Sequence, residues 1–323
     1  MVQSLRFQGF RRGPPTLDSH TATRSKIFVR NATVLDCAVL DPVCGPRGRS
    51  WYVDVQWRGS LDDERVVFDF AHAKKNAKAV VDELFDHRLL APQSLVTECG
   101  PRLVLRSPFL LPEHESSTGE ASRVAGRFLL DTYPTAIYVL PDEVVMAALA
   151  GDLVPLSFVI ADAIKKRAPG NVDEVRVTLR GHELNASPHH FSYTHSLRQH
   201  AGNCQRFHGH ANVVEVFDAQ GRLDAEASCR AARLLDGRYL VSPHYVEALP
   251  SPSTRLEESS VSIRYHGSQG EVRAVVPRAA LLLLPDESSI ENISLFLHKE
   301  LGLPPDWEVH AYEGLAKGAV APA

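Results

Sequence analysis

The 323-residue chain sets 35 lysines and arginines against 39 acidic residues, a formal net charge of −4. Near-balance excludes the basic footprint of a nucleic-acid binder and a membrane-seeking cationic face. No apolar run reaches the roughly 18 residues of a spanning helix, and five cysteines without framework spacing fit a reducing, cytoplasmic setting.

Residues 1–24 are basic and turn-rich, with no continuous apolar core, so a disordered leader is expected, the fold starting near Ser25. The segment from Gly48 to Gly59 reads as a strand. From Phe68 to Arg88 a helix is predicted, with Val80, Val81 and Leu84 on one face, Lys74, Lys75 and Lys78 elsewhere, and Pro92 as its stop. Strand-like segments follow at Leu103–Ser107 and before Pro141, then a helix-like stretch from Pro155 and a strand ending at Leu179. Turn formers between Arg180 and His190 place a boundary near Asn185.

Beyond it the order repeats. Thr135–Glu143 and Ala279–Glu287 share the ending Leu-Pro-Asp-Glu, and Leu84–Pro92 parallels Leu234–Pro243. Gly48–Gly59 parallels Gly209–Gly221, Leu103–Ser107 parallels Val261–Tyr265, and each half closes on a helix and a strand. Several weak matches in one order argue for a duplicated unit. Units 25–184 and 185–323 are expected, each mixing strands and helices in an α+β fold.

The second unit carries the chemistry. His208 and His210 are two apart, hence on one face of a strand, and Ala211–Phe217 alternates as a strand should. A hairpin with the preceding FSYTHSL strand would bring His195 beside them. Three imidazoles leave a fourth tetrahedral position open, as in a catalytic zinc site. Isolated, a His-x-His pair in a chain with 15 histidines is as readily two solvent-facing imidazoles; the third histidine and Cys204 shift the balance, because a thiol beside a cation becomes reactive. His182, His189 and His190 read as polar loop residues and His200 as a rival ligand. Cys37 and Cys229 read as structural.

These motifs, Cys-x-x-x-His-x-His after FSYTHSL, Leu-Phe-Asp-His-Arg-Leu-Leu, Ser-Ser-Ile-Glu-Asn and a terminal Tyr-Glu-Gly, resemble the 6-pyruvoyltetrahydropterin synthase family. Its 6-carboxytetrahydropterin synthase branch, which makes a queuosine precursor, is the most similar. The resemblance implies two tandem tunnelling-fold (T-fold) units, each an antiparallel sheet with helices on one face. It further implies zinc on His195, His208 and His210, Cys204 as catalytic thiol, and Asp86 with His87 as a proton-transfer pair. Glu313 would anchor a pterin ring, and Glu291 would also contact substrate. The implied reaction converts 7,8-dihydroneopterin triphosphate to 6-carboxytetrahydropterin, losing triphosphate and acetaldehyde. A pyruvoyl-forming or related side-chain lyase, and a non-enzymatic pterin binder, are the alternatives.

The halves depart from that pattern in complementary ways. In the first, Arg47 and Arg49 stand at two metal positions, with Leu35 or a neighbour at the third; guanidinium cannot ligate zinc. In the second, Gly237 replaces the histidine after Asp236. A composite site is therefore expected, metal and thiol from one repeat and Asp-His from the other. Lys74, Lys75, Arg88, Arg206, Arg47 and Arg49 are candidates for holding the triphosphate. By the family's ring assembly, the chain is expected to be a homo-oligomer, a trimer of tandem chains.

Overall fold

The computed structural model describes residues 23–110, 125–181, 187–248 and 260–321. The expected boundary near Asn185, His182, and the leader up to residue 22 lie outside the described residues.

The first half opens on a long antiparallel hairpin of β1 (Arg24–Asp41) and β2 (Gly45–Ser60), interrupted by an irregularity between Val29 and Thr33. Helix α1 (Phe70–Leu84) follows, started by Asp69, whose side chain accepts the His72 amide. It buries Ala73, Ala77, Val80 and Val81; Leu84 is only half-buried. Pro92 does not stop it. The helix ends at Leu84, and Asp86–Arg88 form a turn into the short strand β3 (Leu89–Pro92), so Pro92 closes a strand instead. Strands β4 (Val96–Cys99), β5 (Arg102–Leu110), β6 (Ala125–Thr132) and β7 (Ile137–Leu140), helices α2 (Asp142–Leu149) and α3 (Val154–Lys165), and strand β8 (Val172–Arg180) complete this half.

The second half repeats the plan. It comprises β9 (His190–His195), β10 (His208–Phe217), α4 (Ala225–Leu235), β11 (Arg238–Val241), β12 (Val246–Ala248), β13 (Ser260–Gly267), β14 (Gly270–Pro277), β15 (Leu281–Leu283), α5 (Ile290–Glu300), β16 (Glu308–Glu313) and β17 (Lys317–Ala321). Asp224 caps α4 by accepting the Ala227 amide, and Ser289 caps α5 at Asn292. Helix α2 and strand β17 have no counterpart in the sequence reading.

The sheets run β7-β3-β1-β2-β8 and β15-β11-β9-β10-β16-β17. Each half packs helices on its sheet around its own core: Trp57, Phe85, Leu156 and Ile160 in the first, Phe191, Val214, Ile293 and Leu297 in the second. A third sheet, β12-β13-β14-β6-β5-β4, crosses the joint, with β14 pairing β6 at Arg273↔Asp131 and Val275↔Leu129. Leu105, Phe128, Leu130, Phe207, Tyr239 and Val261 share its core, so both halves contribute to one body of buried apolar surface.

The hairpins also meet directly. Gly48 of β2 lies against Gly209 of β10, and a Cβ on Gly48 would overlap the carbonyl oxygens of Tyr193 and His210. Ser192 Oγ donates to Gly48 O at 3.0 Å, and the Ala211 amide donates to Ser50 Oγ at 3.2 Å. Two equivalent glycines thus sit where the repeats approach most closely, which is how backbone reaches backbone without a side chain between them.

Candidate metal centre and active site

Pairing of β9 with β10 puts His195 opposite His208 and Tyr193 opposite His210. All three histidines are buried. Their Nε2 atoms converge: that of His195 lies 3.1 Å from those of both His208 and His210. The Nδ1 atoms point the other way, toward oxygen. His195 Nδ1 is 3.0 Å from Ser288 O, His208 Nδ1 is 2.8 Å from Arg206 O, and His210 Nδ1 is 3.3 Å from Asp36 Oδ1, off-line for a hydrogen bond. Oxygen at Nδ1 holds the proton there and leaves the Nε2 lone pairs for a cation.

Protonation agrees with that geometry. Burial, then the neighbouring His210, pushes His195 down to about 3, and burial with the adjacent imidazoles holds His208 well below its usual value. The Nε2 spacing of 3.1 Å matches the donor set of a tetrahedral zinc, where nitrogens about 2.0–2.1 Å from the ion stand about 3.3 Å from each other. Among the described residues, these three form the one cluster of at least three His, Cys, Asp or Glu side chains that could hold a metal.

The other half supplies the partner groups. The turn after α1 carries Asp86 and His87 to the triad, with the His87 ring centroid 4.5 Å from that of His208 and 6.1 Å from that of His210. Asp86 Oδ1 accepts the Asp36 amide at 2.8 Å and its Oδ2 meets His87 Nδ1 at 2.5 Å. Burial alone would lower the His87 pKa; bonds to Asp86 and to Cys204 override it and raise it to about 10. His87 sits at φ 54°, one of three non-glycine residues with positive φ among those described. Its amide donates to Asp36 O at 2.7 Å, fixing the strained turn.

Cys204 lies half-buried in the turn Asn203–Gln205 before β10, its backbone carbonyl taking the Leu197 amide at 2.8 Å. Glu313 ends β16, with Oε1 3.8 Å from His210 Nε2 and Oε2 2.9 Å from Lys317 Nζ. Burial opposes its charge, but His210, His195 and Lys317 hold its pKa below the usual carboxylate value. A cleft of about 320 Å³ opens beside Asp36, Asp86, His87 and Lys317. A larger one, about 600 Å³ between α3 and β8, includes none of these groups.

The structure thus brings His195, His208, His210, Cys204, Asp86, His87 and Glu313 into one place, within a single chain. It does not bring Glu291, which is exposed on the first turn of α5; from that loop it is Ser288 that reaches His195. His200 is exposed, bonded to Ala201 O, and stands outside the trio. His189 lies in the turn before β9 but is buried, and His190 begins β9, so only His190 is not a loop residue. Asp36 and Lys317 were not anticipated. Asp36 could have been found by pairing the Val-Leu-Asp-Cys strand of the first half with FSYTH of the second.

Register also corrects the third degenerate position. Val39 pairs Arg47 as His195 pairs His208, and Cys37 pairs Arg49 as Tyr193 pairs His210. The aliphatic residue replacing the third ligand is therefore Val39; Leu35 pairs Trp51 instead.

Residues 45–121 match the family model for 6-pyruvoyl tetrahydropterin synthase. The first half carries a region of this family. The match includes Asp86 and His87, whereas the histidine triad lies in the other half. No curated protein matches the chain. Solved structures similar to it include 6-pyruvoyl tetrahydropterin synthase from Plasmodium vivax, at 13% identity over 50% of this chain and 93% of that one, TM-score 0.32. The Plasmodium falciparum enzyme of that name is 14% identical over 49% and 91%, with a TM-score of 0.27. No residue role is carried over from them.

Proposed function

We propose that the chain is a zinc-dependent lyase acting on 7,8-dihydroneopterin triphosphate and one water to give 6-carboxytetrahydropterin, with loss of triphosphate and acetaldehyde, as a step toward queuosine. The observation that carries this reading is the seating of Asp86–His87 from one half over the converging Nε2 atoms of the other, with Cys204 hydrogen-bonded to the same imidazole. A structural zinc site needs neither a thiol base nor a strained imidazolium.

His195, His208 and His210 would hold the ion. Bound there, zinc would polarise the side-chain oxygens of the substrate and ease removal of the proton beside them. Cys204 Sγ takes that proton, and His87, held protonated by Asp86, returns one to the product side. Asp86 fixes the imidazole through Nδ1, leaving Nε2 to face the substrate. Glu313 accepts hydrogen bonds from the amino group and ring nitrogen of the pterin, its charge maintained by Lys317. Four further features belong to this proposal: domains 25–184 and 185–323, the leader 1–24, a trimer of tandem chains, and a reducing, cytoplasmic setting. All five cysteines are free, and no described helix is long and apolar enough to cross a membrane.

The test is incubation of zinc-loaded protein with 7,8-dihydroneopterin triphosphate and mass spectrometry of the pterin. A 6-carboxy product that disappears in Cys204→Ala is expected. A 6-pyruvoyl product would move the chain to the other branch. Tight, Glu313-dependent pterin binding without turnover would replace the lyase by a pterin-binding module.

A further inference from the structure

Of the six basic residues that the sequence offers for an anion, the structure separates two from the rest. Arg88 follows His87 and Arg206 precedes His208, so one comes from each half. Both are buried, at 8% and 6% exposure. Arg88 is close enough to feel the charge of Arg206, and Arg206 is hydrogen-bonded to the Tyr133 hydroxyl and feels Asp86.

Among the described residues, neither has a carboxylate within ion-pair distance. Arg88 donates through Nη2 to the carbonyl of Glu83, and Arg206 donates through Nε to Gln269 Oε1 at 3.0 Å. The two nearby carboxylates are engaged elsewhere: Glu83 is held bidentately by Arg167 at 2.6 and 2.8 Å, and Asp86 by His87 and the Asp36 amide. Arg88 Nε and Arg206 Nη1 are buried with no acceptor among the described residues. Two buried like charges with spare donors are costly, and such an arrangement persists where an anion completes it. A forked guanidinium pair suits the geminal oxygens of phosphate.

Comparison with the other repeat argues against a purely structural role. Arg238, the counterpart of Arg88 after Asp236–Gly237, donates to Ala279 O and has no buried donor left without an acceptor among the described residues. At the position of Arg206 stands Gly45, by the register that aligns Gly48 with Gly209. The pair exists only on the side that has the histidines. Its placement is also supported from outside: the turn between β13 and β14 brings Gln269 to Arg206, and Gln269 in turn donates to Asn203 Oδ1 at 3.2 Å.

We infer that Arg88 and Arg206 form a two-sided anion subsite for an oligophosphate chain, next to the metal centre. In the lyase reading, on which this assignment rests, the chain is the triphosphate of the substrate, held while it is still attached. Lys74, Lys75, Arg47 and Arg49 are then not required for it.

Calorimetry of metal-loaded protein with inorganic tripolyphosphate, and separately with orthophosphate, tests the subsite without turnover. Tripolyphosphate is expected to bind at least tenfold more weakly to Arg88→Gln and to Arg206→Gln, with orthophosphate weak throughout. Steady-state kinetics on the pterin triphosphate is expected to show KM raised by a similar factor in each variant and kcat changed far less. Wild-type protein that does not bind tripolyphosphate overturns the inference, as does binding unaffected in both folded variants. Orthophosphate bound as tightly as tripolyphosphate also overturns it, since that marks a site for free phosphate. Should a glutamine variant not fold, a crystal structure of wild type with tripolyphosphate decides: its oxygens must lie within hydrogen-bond distance of both guanidiniums. Arginine-dependent tripolyphosphate binding without any turnover would leave the subsite standing and the lyase reading lost. Turnover with unaltered KM in both variants would do the reverse.

Discussion

The turns that follow α1 and α4 are built to one plan and end in different residues. Asp86 accepts the Asp36 amide at 2.8 Å and Asp236 accepts the Ser192 amide at 3.0 Å. The next residue in each donates its own amide back, His87 to Asp36 O and Gly237 to Ser192 O, both at 2.7 Å. Both have positive φ, 54° and 69°. Glycine is what such a backbone favours; a histidine there costs about 1–2 kcal/mol. The turn that relaxed to glycine sets Asp236 near Arg49 of the degenerate site, while the one that keeps the strain sets His87 over His208 and His210. Folding needs the aspartate in both turns. Only one turn retains a side chain that the backbone does not favour, and it lies where a metal could be held.

The largest expected effect comes from removing the triad. His208→Ala should lower bound zinc from about one equivalent per chain to near zero, measured by elemental analysis, and abolish turnover. Zinc retained at wild-type level would remove the metal centre from these histidines. Next comes His87→Gly, which gives the active turn the sequence of its counterpart. Turnover should fall about 10²–10⁴-fold, the usual share of a positioned acid-base group. Above about pH 10, where the ring is neutral, stability should fall by no more than about 1 kcal/mol, because relief of the positive φ offsets the lost ring contacts; at neutral pH the fall is larger by the contribution of the charged imidazole. A large drop in denaturant midpoint with little change in turnover would mean that His87 is structural.

Gly48→Ala probes the joint instead of either turn. The added methyl meets the backbone carbonyls of Tyr193 and His210, which cannot rotate away. About 1–3 kcal/mol of destabilisation is expected from such overpacking, read as a lower urea midpoint, together with weaker zinc binding as His210 shifts. Wild-type stability would show that the hairpins are not in contact there.

The pH dependence separates the site from its counterpart more gently. His87 has a folded pKa of about 10 against 6.5 when free, so its contribution to stability is complete below about pH 6.5. It is lost progressively as pH rises through about 10. Urea midpoints of wild type should therefore decline across that window more steeply than those of His87→Gly. The alkaline limb of turnover should follow the same window, as His87 loses its proton. Parallel stability profiles would show that His87 is not protonated in the folded state.

Sequence was most legible where local rules decide. The His-x-His spacing and the valine alternation after it set which face of β10 the pair occupies, and the short hairpin then left His195 one place to go. Duplication made the asymmetry between His87 and Gly237 readable as well. Register across a longer reach was not. The third degenerate position was off because residues 40–46 connect the paired positions in one repeat and 196–207 in the other, so counting back from Arg47 does not reach the right residue. Pro92 looked like a helix stop because nothing local says that Asp86–Arg88 already turn the chain. The sheet shared through β6 and β14 is a non-local pairing between two apolar strands that carry no mark of their partner. Glu291 was drawn in by its neighbours Ser288 and Ser289, and once Ser289 caps the helix the glutamate side chain faces solvent.

The smallest expected effect is the converse substitution, Gly237→His. It places a side chain at φ 69°, which should cost about 1–2 kcal/mol, read as a lower urea midpoint. Asp236 is available to take its Nδ1 proton, as Asp86 does for His87, and that bond should recover part of the cost. No zinc should be gained, because guanidiniums at Arg47 and Arg49 and the aliphatic Val39 offer no lone pair. Turnover should stay at the wild-type level, since the triad, Cys204 and His87 are untouched. The informative quantity is the difference between the two reciprocal changes. If the turns are equivalent scaffolds, then His87→Gly should lose chemistry and, above about pH 10, little stability, while Gly237→His loses stability and no chemistry. Equal effects on turnover would mean that the counterpart turn also faces substrate, and the division of labour between the repeats would have to be abandoned.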